Sequence, residues 1–254
     1  MKGAFVYFSG TGNTEYVIEQ LIKEFQEKNI DCKTVDITKE NTVSAEFDFY
    51  VVASPIHVEV FPKIFVDWIK NNLPKVDSKR CIVISTEASY IAYGGRQIGR
   101  ILDSKGYDVV CVKSIPMPNN YYLGKHFKAT TKERQEEMKK EVSLEAKNIV
   151  DKFLKDDGYI EKESAVMAIV GKITYDICIP YFHSWARKNL SIDYDKCVKC
   201  KKCEKDCPTH NIVFQNKIVF KNKCISCQRC LQKCPVNAFL YKGEHFNQVR
   251  IKED

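Results

Sequence analysis

The sequence lacks the features that direct a chain into or across a membrane. Met1 leads straight into a short apolar segment, with neither the long apolar stretch nor the small-residue cleavage site of a signal peptide. Residues 164–182 are largely apolar, but Lys172, Asp176 and Pro180 interrupt them, whereas a span needs about 20 apolar residues in succession. We therefore expect a cytoplasmic protein without a membrane span, in which residues 164–182 form a helix that connects two domains.

Two common nucleotide-binding signatures are also missing. Residues 3–8 form an apolar run, residues 9–14 are Ser-Gly-Thr-Gly-Asn-Thr, and apolar residues then recur at helical spacing up to Phe25, which predicts strand, loop and helix. The loop has no Lys or Arg, which excludes the G-K-[ST] nucleotide loop, and Glu15 stands where a dinucleotide fingerprint needs its third glycine. The amides and hydroxyls that remain suit a terminal phosphate at the start of a helix.

Positive charge is concentrated near the C-terminus. Residues 186–254 hold 15 Lys and Arg against 7 Asp and Glu, whereas residues 1–185 hold 25 against 26. The excess is either a solvated surface or a docking face for an acidic redox partner, which would act mainly on the association rate. We expect no nucleic-acid binding, because no recognition helix or aromatic platform accompanies the lysines.

Eight of the 12 cysteines form two runs with the pattern C-x2-C-x2-C-x3-C-P. This spacing is typical of two 4Fe–4S clusters, in which the fourth cysteine of each run binds the other cluster. A zinc ribbon or a disulfide framework fits it less well, since structural zinc usually takes two separated C-x2-C pairs. The predicted ligands are Cys197, Cys200, Cys203 and Cys234 for one cluster, and Cys224, Cys227, Cys230 and Cys207 for the other.

The N-terminal part alternates between strand and helix patterns. Apolar segments at 31–37, 47–54, 80–86 and 108–115 follow the first strand, and helical patterns lie at 63–72, 95–105 and 131–155. This alternation predicts an α/β doubly wound parallel sheet of five strands, with ligands beyond the carboxyl ends of the strands. Residues 116–129 contain two prolines and no clear period, and we expect a surface loop or a flap that covers a ligand or touches the C-terminal part.

The loop of residues 9–14 resembles the FMN-phosphate loop of flavodoxins, T/S-x-T-G-x-T. Residues 85–95 resemble their third flavin loop, in which a tyrosine, here Tyr90, stacks on the flavin, and residues 54–59 resemble the second, where His57 takes the place of a flanking aromatic. The resemblance implies these FMN contacts: Ser9, Gly10, Thr11, Gly12, Asn13, Thr14, Ser54, Pro55, Ile56, His57, Thr86, Glu87, Tyr90, Tyr93 and Gly94.

The whole chain resembles the flavodoxin–ferredoxin fusions of anaerobic bacteria and archaea. We expect a flavodoxin-like domain over residues 1–156, an apolar helical connector over 157–188, and a small α+β bacterial ferredoxin-like domain with two 4Fe–4S clusters over 189–254. One departure concerns the second loop, where flavodoxins often carry glycine beside the flanking aromatic. Val58 and Glu59 stand there, and a β-branched residue resists the positive φ that glycine adopts.

The expected function is electron transfer between the two clusters and FMN, which links one-electron carriers to two-electron chemistry. One alternative is an FMN-dependent reductase of a small organic substrate, fed by its own ferredoxin domain. A second alternative is a redox sensor. The expected partner is a redox protein, acidic if the basic segment is its docking face, and a small organic electron acceptor is the other option.

Overall fold

The computed structural model describes residues 1–88, 94–123, 128–161 and 164–251. The chain divides into two compact units, each built from two segments. The first unit is Met1–Pro118 with Thr131–Tyr175, and the second unit is Asn119–Thr130 with Asp176–Asp254.

The first unit is a parallel sheet with strand order β2-β1-β3-β4-β5-β6. Its strands are β1 Lys2–Tyr7, β2 Asp31–Asp36, β3 Phe49–Pro55, β4 Lys79–Glu87, β5 Tyr107–Pro116 and β6 Tyr159–Ile160, and its helices are α1 Asn13–Glu27, α2 Lys63–Asn72, α3 Gly94–Asp103 and α4 Lys132–Leu154. The order 2-1-3-4-5 is that of the flavodoxin-like doubly wound fold, so the predicted fold class is confirmed. The sequence predicted five strands, and the two-residue β6 adds a short sixth at the edge.

Apolar side chains cover both faces of this sheet. On one face, the ring of Phe49 on β3 lies 4.8 Å from Phe25 of α1 and 4.9 Å from Phe153 of α4. The next residue, Tyr50, points to the opposite face because side chains alternate along a strand, and its ring lies 5.0 Å from that of Tyr107. Burial on both faces explains why the central strands β1, β3 and β4 contain continuous apolar runs rather than alternating patterns.

Helix α5 spans Ala165–Asn189 and therefore begins in the first unit and ends in the second. By length and composition it could cross a membrane, and only 11% of its most apolar window is buried. Its first half nevertheless packs on the first unit: the hydroxyl of the buried Tyr175 accepts a hydrogen bond of 2.9 Å from the backbone N–H of Lys63. The interrupted apolar run is thus a helix, as predicted, and this turn of it faces protein.

The second unit contains one motif twice, and Cys197 in the first copy corresponds to Cys224 in the second. Strand β7 Leu190–Ile192, helix α6 Lys202–Lys205 and strand β8 Ile212–Gln215 correspond to β9 Lys217–Phe220, α7 Arg229–Gln232 and β10 Phe239–Tyr241. The strands pair crosswise and antiparallel, β7 with β10 and β8 with β9, so each two-stranded sheet joins the two copies of the motif. The repeat brings both cysteine runs into one small α+β unit.

Residues 119–123, from the predicted loop, pack within the second unit. The side-chain amide of Asn120 donates to the Val249 carbonyl at 3.1 Å, and the Tyr121 ring lies 6.2 Å from that of Trp185. Leu123 packs against the apolar cluster around Trp185. Of the two predicted roles for this loop, contact with the ferredoxin-like part is the one that these residues show.

Candidate functional site

The predicted phosphate loop lies between the end of β1 and the start of α1. Gly12 has φ 109°, in the left-handed region that glycine tolerates, and its N–H donates to Ser9 Oγ at 3.1 Å. Helix α1 begins at the next residue, Asn13, whose side-chain amide donates to the Pro118 carbonyl at 2.8 Å. A turn closed by its own serine at the N-terminus of a 15-residue helix has the geometry of an anion site.

Two buried threonines join this loop to the third predicted loop. The hydroxyls of Thr14 and Thr86 lie 2.8 Å apart, although 72 residues separate them in the chain. Both side chains are almost fully buried. At the same edge of the sheet, the N–H of Ile56 in the second loop donates to the Thr86 carbonyl at 2.9 Å. The fold therefore brings residues of all three predicted flavin loops together at the carboxyl ends of β1, β3 and β4.

The second loop contains a tight turn without glycine. Val58 has φ 48° and Glu59 has φ 68°, and the N–H of His57 donates to the Val60 carbonyl at 2.9 Å to close the turn. The expectation that a β-branched residue would avoid positive φ is thus wrong here. Consecutive left-handed residues let the chain reverse within two positions, and the cost at Val58 is of order 1–3 kcal/mol.

His57 lies half-buried in this turn. Its ring meets the Phe8 ring edge-on at a centroid distance of 6.4 Å. Burial lowers the pKa of His57 to about 4, because the charged imidazolium loses its hydration there. The imidazole is therefore neutral at physiological pH, which makes it a hydrogen-bonding or stacking group rather than a fixed positive charge.

The third loop begins at the end of β4. The Ser114 hydroxyl of β5 donates to Oε1 of Glu87, and the Glu87 carbonyl accepts from the N–H of Met117 at 2.7 Å. Gly94, the first residue of α3, has no room for a side chain, since an added Cβ would lie 2.8 Å from the Phe61 ring. Tyr90 and Tyr93 lie outside the described residues, so their predicted stacking on the flavin stays a prediction.

In the second unit, one cavity collects the first predicted set of cluster ligands. Cys197, Cys200, Cys203 and Cys234 all line it, and it holds about 520 Å³ of empty volume, including the part open to solvent. Burial and then the neighbouring thiols, Cys234 foremost, raise the pKa of Cys203 to about 11. The fourth cysteine of the second run thus lies near the first run, as the exchange of ligands requires.

The second predicted set is grouped in the same way. Burial, followed by the neighbouring Cys227 and Cys207 thiols, raises the pKa of Cys224 to about 12. Burial raises the pKa of Cys230 well above its ordinary value, and the neighbouring thiols of Cys227, Cys224, Cys207 and Cys203 raise it further. The two groups fit two four-thiolate clusters, while the assignment of each ligand stays a prediction.

Backbone amides point at the sulfurs in a pattern that follows the repeat. The N–H of Asn211 donates to Cys207 Sγ at 3.2 Å, and at the equivalent place in the second copy the N–H of Ala238 donates to Cys234 Sγ at 3.4 Å. Such bonds stabilise the negative charge of a thiolate and are one means by which a protein sets a cluster potential.

Positive φ angles also recur at equivalent positions of the two copies. Lys199, Lys201 and His210 have φ of 54°, 58° and 50°, and their counterparts Ser226, Gln228 and Asn237 have 54°, 61° and 46°. The backbone of the two cysteine runs therefore bends at the same positions. The equal spacing within the two runs was the signal in the sequence, but none of these six residues is glycine, so their conformation could not be predicted.

No group of three or more His, Cys, Asp and Glu side chains in the described ranges is arranged to hold a metal ion. Such a group would be a compact site around a single ion. A 4Fe–4S cube is larger and receives each thiolate at a separate iron atom, so its ligands stand farther apart.

Comparisons with known proteins found one matching family model and several similar solved structures. Residues 189–235 match the family model of the 4Fe-4S dicluster domain. Among solved structures, oxidised Flavodoxin 1 from Bacillus cereus is similar at 17% identity, covering 59% of this chain and 98% of its own, with a TM-score of 0.43. The Fusobacterium nucleatum flavodoxin bound to flavin mononucleotide is similar at 14% identity, covering 59% and 98%, with a TM-score of 0.39.

A third similar structure is the rubredoxin oxygen:oxidoreductase from Desulfovibrio gigas, at 14% identity and a TM-score of 0.35, covering 60% of this chain and 37% of its own. No curated protein sequence matches the chain. The dicluster match covers all eight predicted cluster cysteines, Cys197 to Cys234. FMN stays a prediction. The strand order and the dicluster match together confirm the predicted architecture, a flavodoxin-like domain joined to a 4Fe–4S dicluster domain.

Proposed function

We propose that this chain is an electron-transfer protein that passes electrons between two 4Fe–4S clusters and FMN. The observation that carries the proposal is the internal repeat of the second unit, which contains the eight cysteines of the two predicted cluster sites. The first unit of the same chain brings its three predicted flavin loops together. Clusters exchange single electrons and a flavin exchanges one or two, so both on one chain link one-electron carriers to two-electron chemistry.

The residues of the first unit would hold the flavin by its phosphate. The loop amides around Gly12 and the N-terminus of α1 attract a dianion, and the hydroxyls of Ser9 and Thr14 lie in the same loop. The hydrogen bond between Thr14 and Thr86 fixes this loop against the third. His57, neutral at physiological pH, adds a ring at the second loop without adding charge.

The residues of the second unit would hold the clusters and set their potentials. Most of the thiols are half-buried, and thiolates are the form that iron binds, so cluster assembly must displace their protons. The amides of Asn211 and Ala238 then donate to the sulfurs of Cys207 and Cys234. Positive charge in residues 186–254 would favour the association of an acidic carrier.

Cofactor analysis of anaerobically purified protein tests the proposal. We expect about eight iron atoms, about eight sulfides and about one FMN per chain. The variant Thr14→Val should lose FMN affinity and keep its iron, because it removes a hydroxyl from the phosphate loop only. Protein with fewer than two clusters, or with no flavin in the wild type, would overturn the proposal.

The choice of electron acceptor distinguishes an electron-transfer protein from a reductase of small organic substrates. For an electron-transfer protein, chemically reduced chain should reduce a ferredoxin or flavodoxin rapidly, with a rate that falls as ionic strength rises. Saturable turnover of quinones, nitro compounds or enones would instead identify a reductase. Affinity for a partner protein that changes with the oxidation state of the clusters would identify a redox sensor.

A further inference from the structure

The two halves of the repeat carry different cations at equivalent positions. Lys202 is the first residue of α6, and its counterpart Arg229 is the first residue of α7. Each lies between the second and third cysteines of its run. Lys202 points to solvent, with its side chain 49% exposed, and its ammonium lies 3.7 Å from an Asp206 carboxylate oxygen. Arg229 is only 7% exposed.

The buried guanidinium lies among residues of both cluster sites. Arg229 lines the cavity that holds the thiols of Cys197, Cys200, Cys203 and Cys234. Its Nη1 donates to the Asp206 carbonyl at 3.2 Å, one residue before Cys207 of the other set.

Burial decides how strongly each cation acts. A guanidinium stays protonated in proteins, so Arg229 remains a fixed positive charge. Charges in a poorly hydrated interior interact more strongly than charges at the surface, and salt screens them less. Lys202 is hydrated and close to a carboxylate, which weakens its field at the sulfurs.

We infer that Arg229 is a positioning residue whose buried positive charge raises the reduction potential of the clusters. Because the equivalent Lys202 is exposed and acts more weakly, the two halves of the repeat contribute unequally to that potential. This inference rests on the proposed function, because it requires both clusters to be present. On reduction, each cluster takes one electron from the external carrier and gains one negative charge, and no bond to Arg229 forms or breaks. The buried guanidinium stabilises that added charge.

Potentiometric titration followed by electron paramagnetic resonance tests the inference on the full holoprotein. Arg229→Gln removes the charge, Arg229→Lys keeps a cation, and Lys202→Gln is the matched control at the equivalent position. We expect Arg229→Gln to lower the midpoint potential of at least one cluster, at both low and high salt. Arg229→Lys should retain most of the wild-type potential, and Lys202→Gln should give a smaller shift that disappears at high salt.

Iron content distinguishes the ways in which this can fail. A wild type without two clusters would overturn the proposed function itself. A fully loaded Arg229→Gln variant with wild-type potentials would overturn only the inference about Arg229, and so would Arg229→Lys with the same shift as Arg229→Gln, since the role would then be geometric. If Arg229→Gln loses iron, Arg229→Met offers a neutral side chain of similar length and should show the same lowering.

Discussion

In the first unit, aromatic rings fill the centre, whereas in the second unit cysteines take much of that place. Phe5, Phe25 and Phe49 are completely buried and in ring contact with one another. The second unit has a buried cluster around Trp185 and Leu231, and its half-buried neighbours include four of the predicted iron ligands, Cys203, Cys224, Cys230 and Cys234. The sulfurs are therefore part of the core as well as part of the site.

This difference has a consequence for folding. Apolar surface that leaves water stabilises the first unit without any cofactor. In the second unit, a loop such as that around Lys199 and Lys201 needs left-handed conformations, which are costly for residues other than glycine. Iron binding to the thiolates offsets such costs, so we expect the fold of the second unit to depend on its clusters.

Removal of iron should cause the largest loss of structure, and it should do so only in the second unit. After chelation under reducing conditions, amide hydrogens of residues 190–251 should exchange at close to unfolded rates, while those of β1, β3 and β4 stay protected. Hydrogen exchange read by mass spectrometry measures both units in one sample. Protection of β7–β10 in the iron-free chain would show that apolar packing suffices there.

A cavity in the core of the first unit should destabilise that unit and leave the second unit unaffected, the reverse of iron removal. Phe49→Ala removes the ring that lies between Phe25 and Phe153, and we expect a loss of about 3–5 kcal/mol in the free energy of unfolding of that unit. Urea unfolding followed by circular dichroism measures it, and the visible absorbance of the clusters reports on the second unit. An unchanged midpoint for the first unit would contradict the proposed role of the aromatic core.

The regular parts of both units were predictable because their signals are local. All five predicted strands closely match β1–β5. The central strands β1, β3 and β4 give the clearest signal, since each contains a continuous run of apolar, buried residues. The predicted iron ligands rest on a spacing that few other sites share, and their assignment stays a prediction. The short β6 was not predictable, because Tyr159–Ile160 is too short for a pattern and forms only by pairing with β5.

Other features were missed or left open, because they depend on packing that the local sequence pattern does not show. Val58 accepts a left-handed conformation that its own preference opposes, because the surrounding turn is fixed at His57 and Val60. The sequence left the role of the loop after β5 open between several alternatives. Its contact with the second unit depends on side chains such as Tyr121, whose partner Trp185 is far along the sequence. Arg229 is buried and Lys202 is exposed, a difference that the two similar cysteine motifs do not predict.

Acid should destabilise the two units for different reasons. In the first unit, we expect the effect to come from the protonation of His57. Its pKa is about 4 in the folded chain and about 6.5 when unfolded, so below pH 6.5 the unfolded chain binds a proton that the folded chain does not. The free energy of unfolding should therefore fall as the pH drops from about 6.5 to about 4, by up to about 3 kcal/mol, and stay level above pH 7.

Iron-free chain is the sample for this measurement, because the clusters themselves are lost in acid. Urea unfolding at several pH values should show the decline in the wild type and a flatter profile in His57→Gln. If both proteins decline equally, other groups control the acid stability of the first unit.

The smallest expected effect comes from two helical glycines that differ in their surroundings. A Cβ at Gly171 of α5 would lie 2.9 Å from the Cβ of Glu59, in the strained turn, whereas a Cβ at Gly99 of α3 would meet nothing within 4 Å. Alanine in an open helix position stabilises by about 0.5–1 kcal/mol relative to glycine, so Gly99→Ala should raise the unfolding midpoint of the first unit. Gly171→Ala should lower it by a similar amount and weaken FMN binding, because Glu59 must move and the turn at His57 moves with it. Equal stabilisation by both variants would show that α5 does not support the second predicted flavin loop.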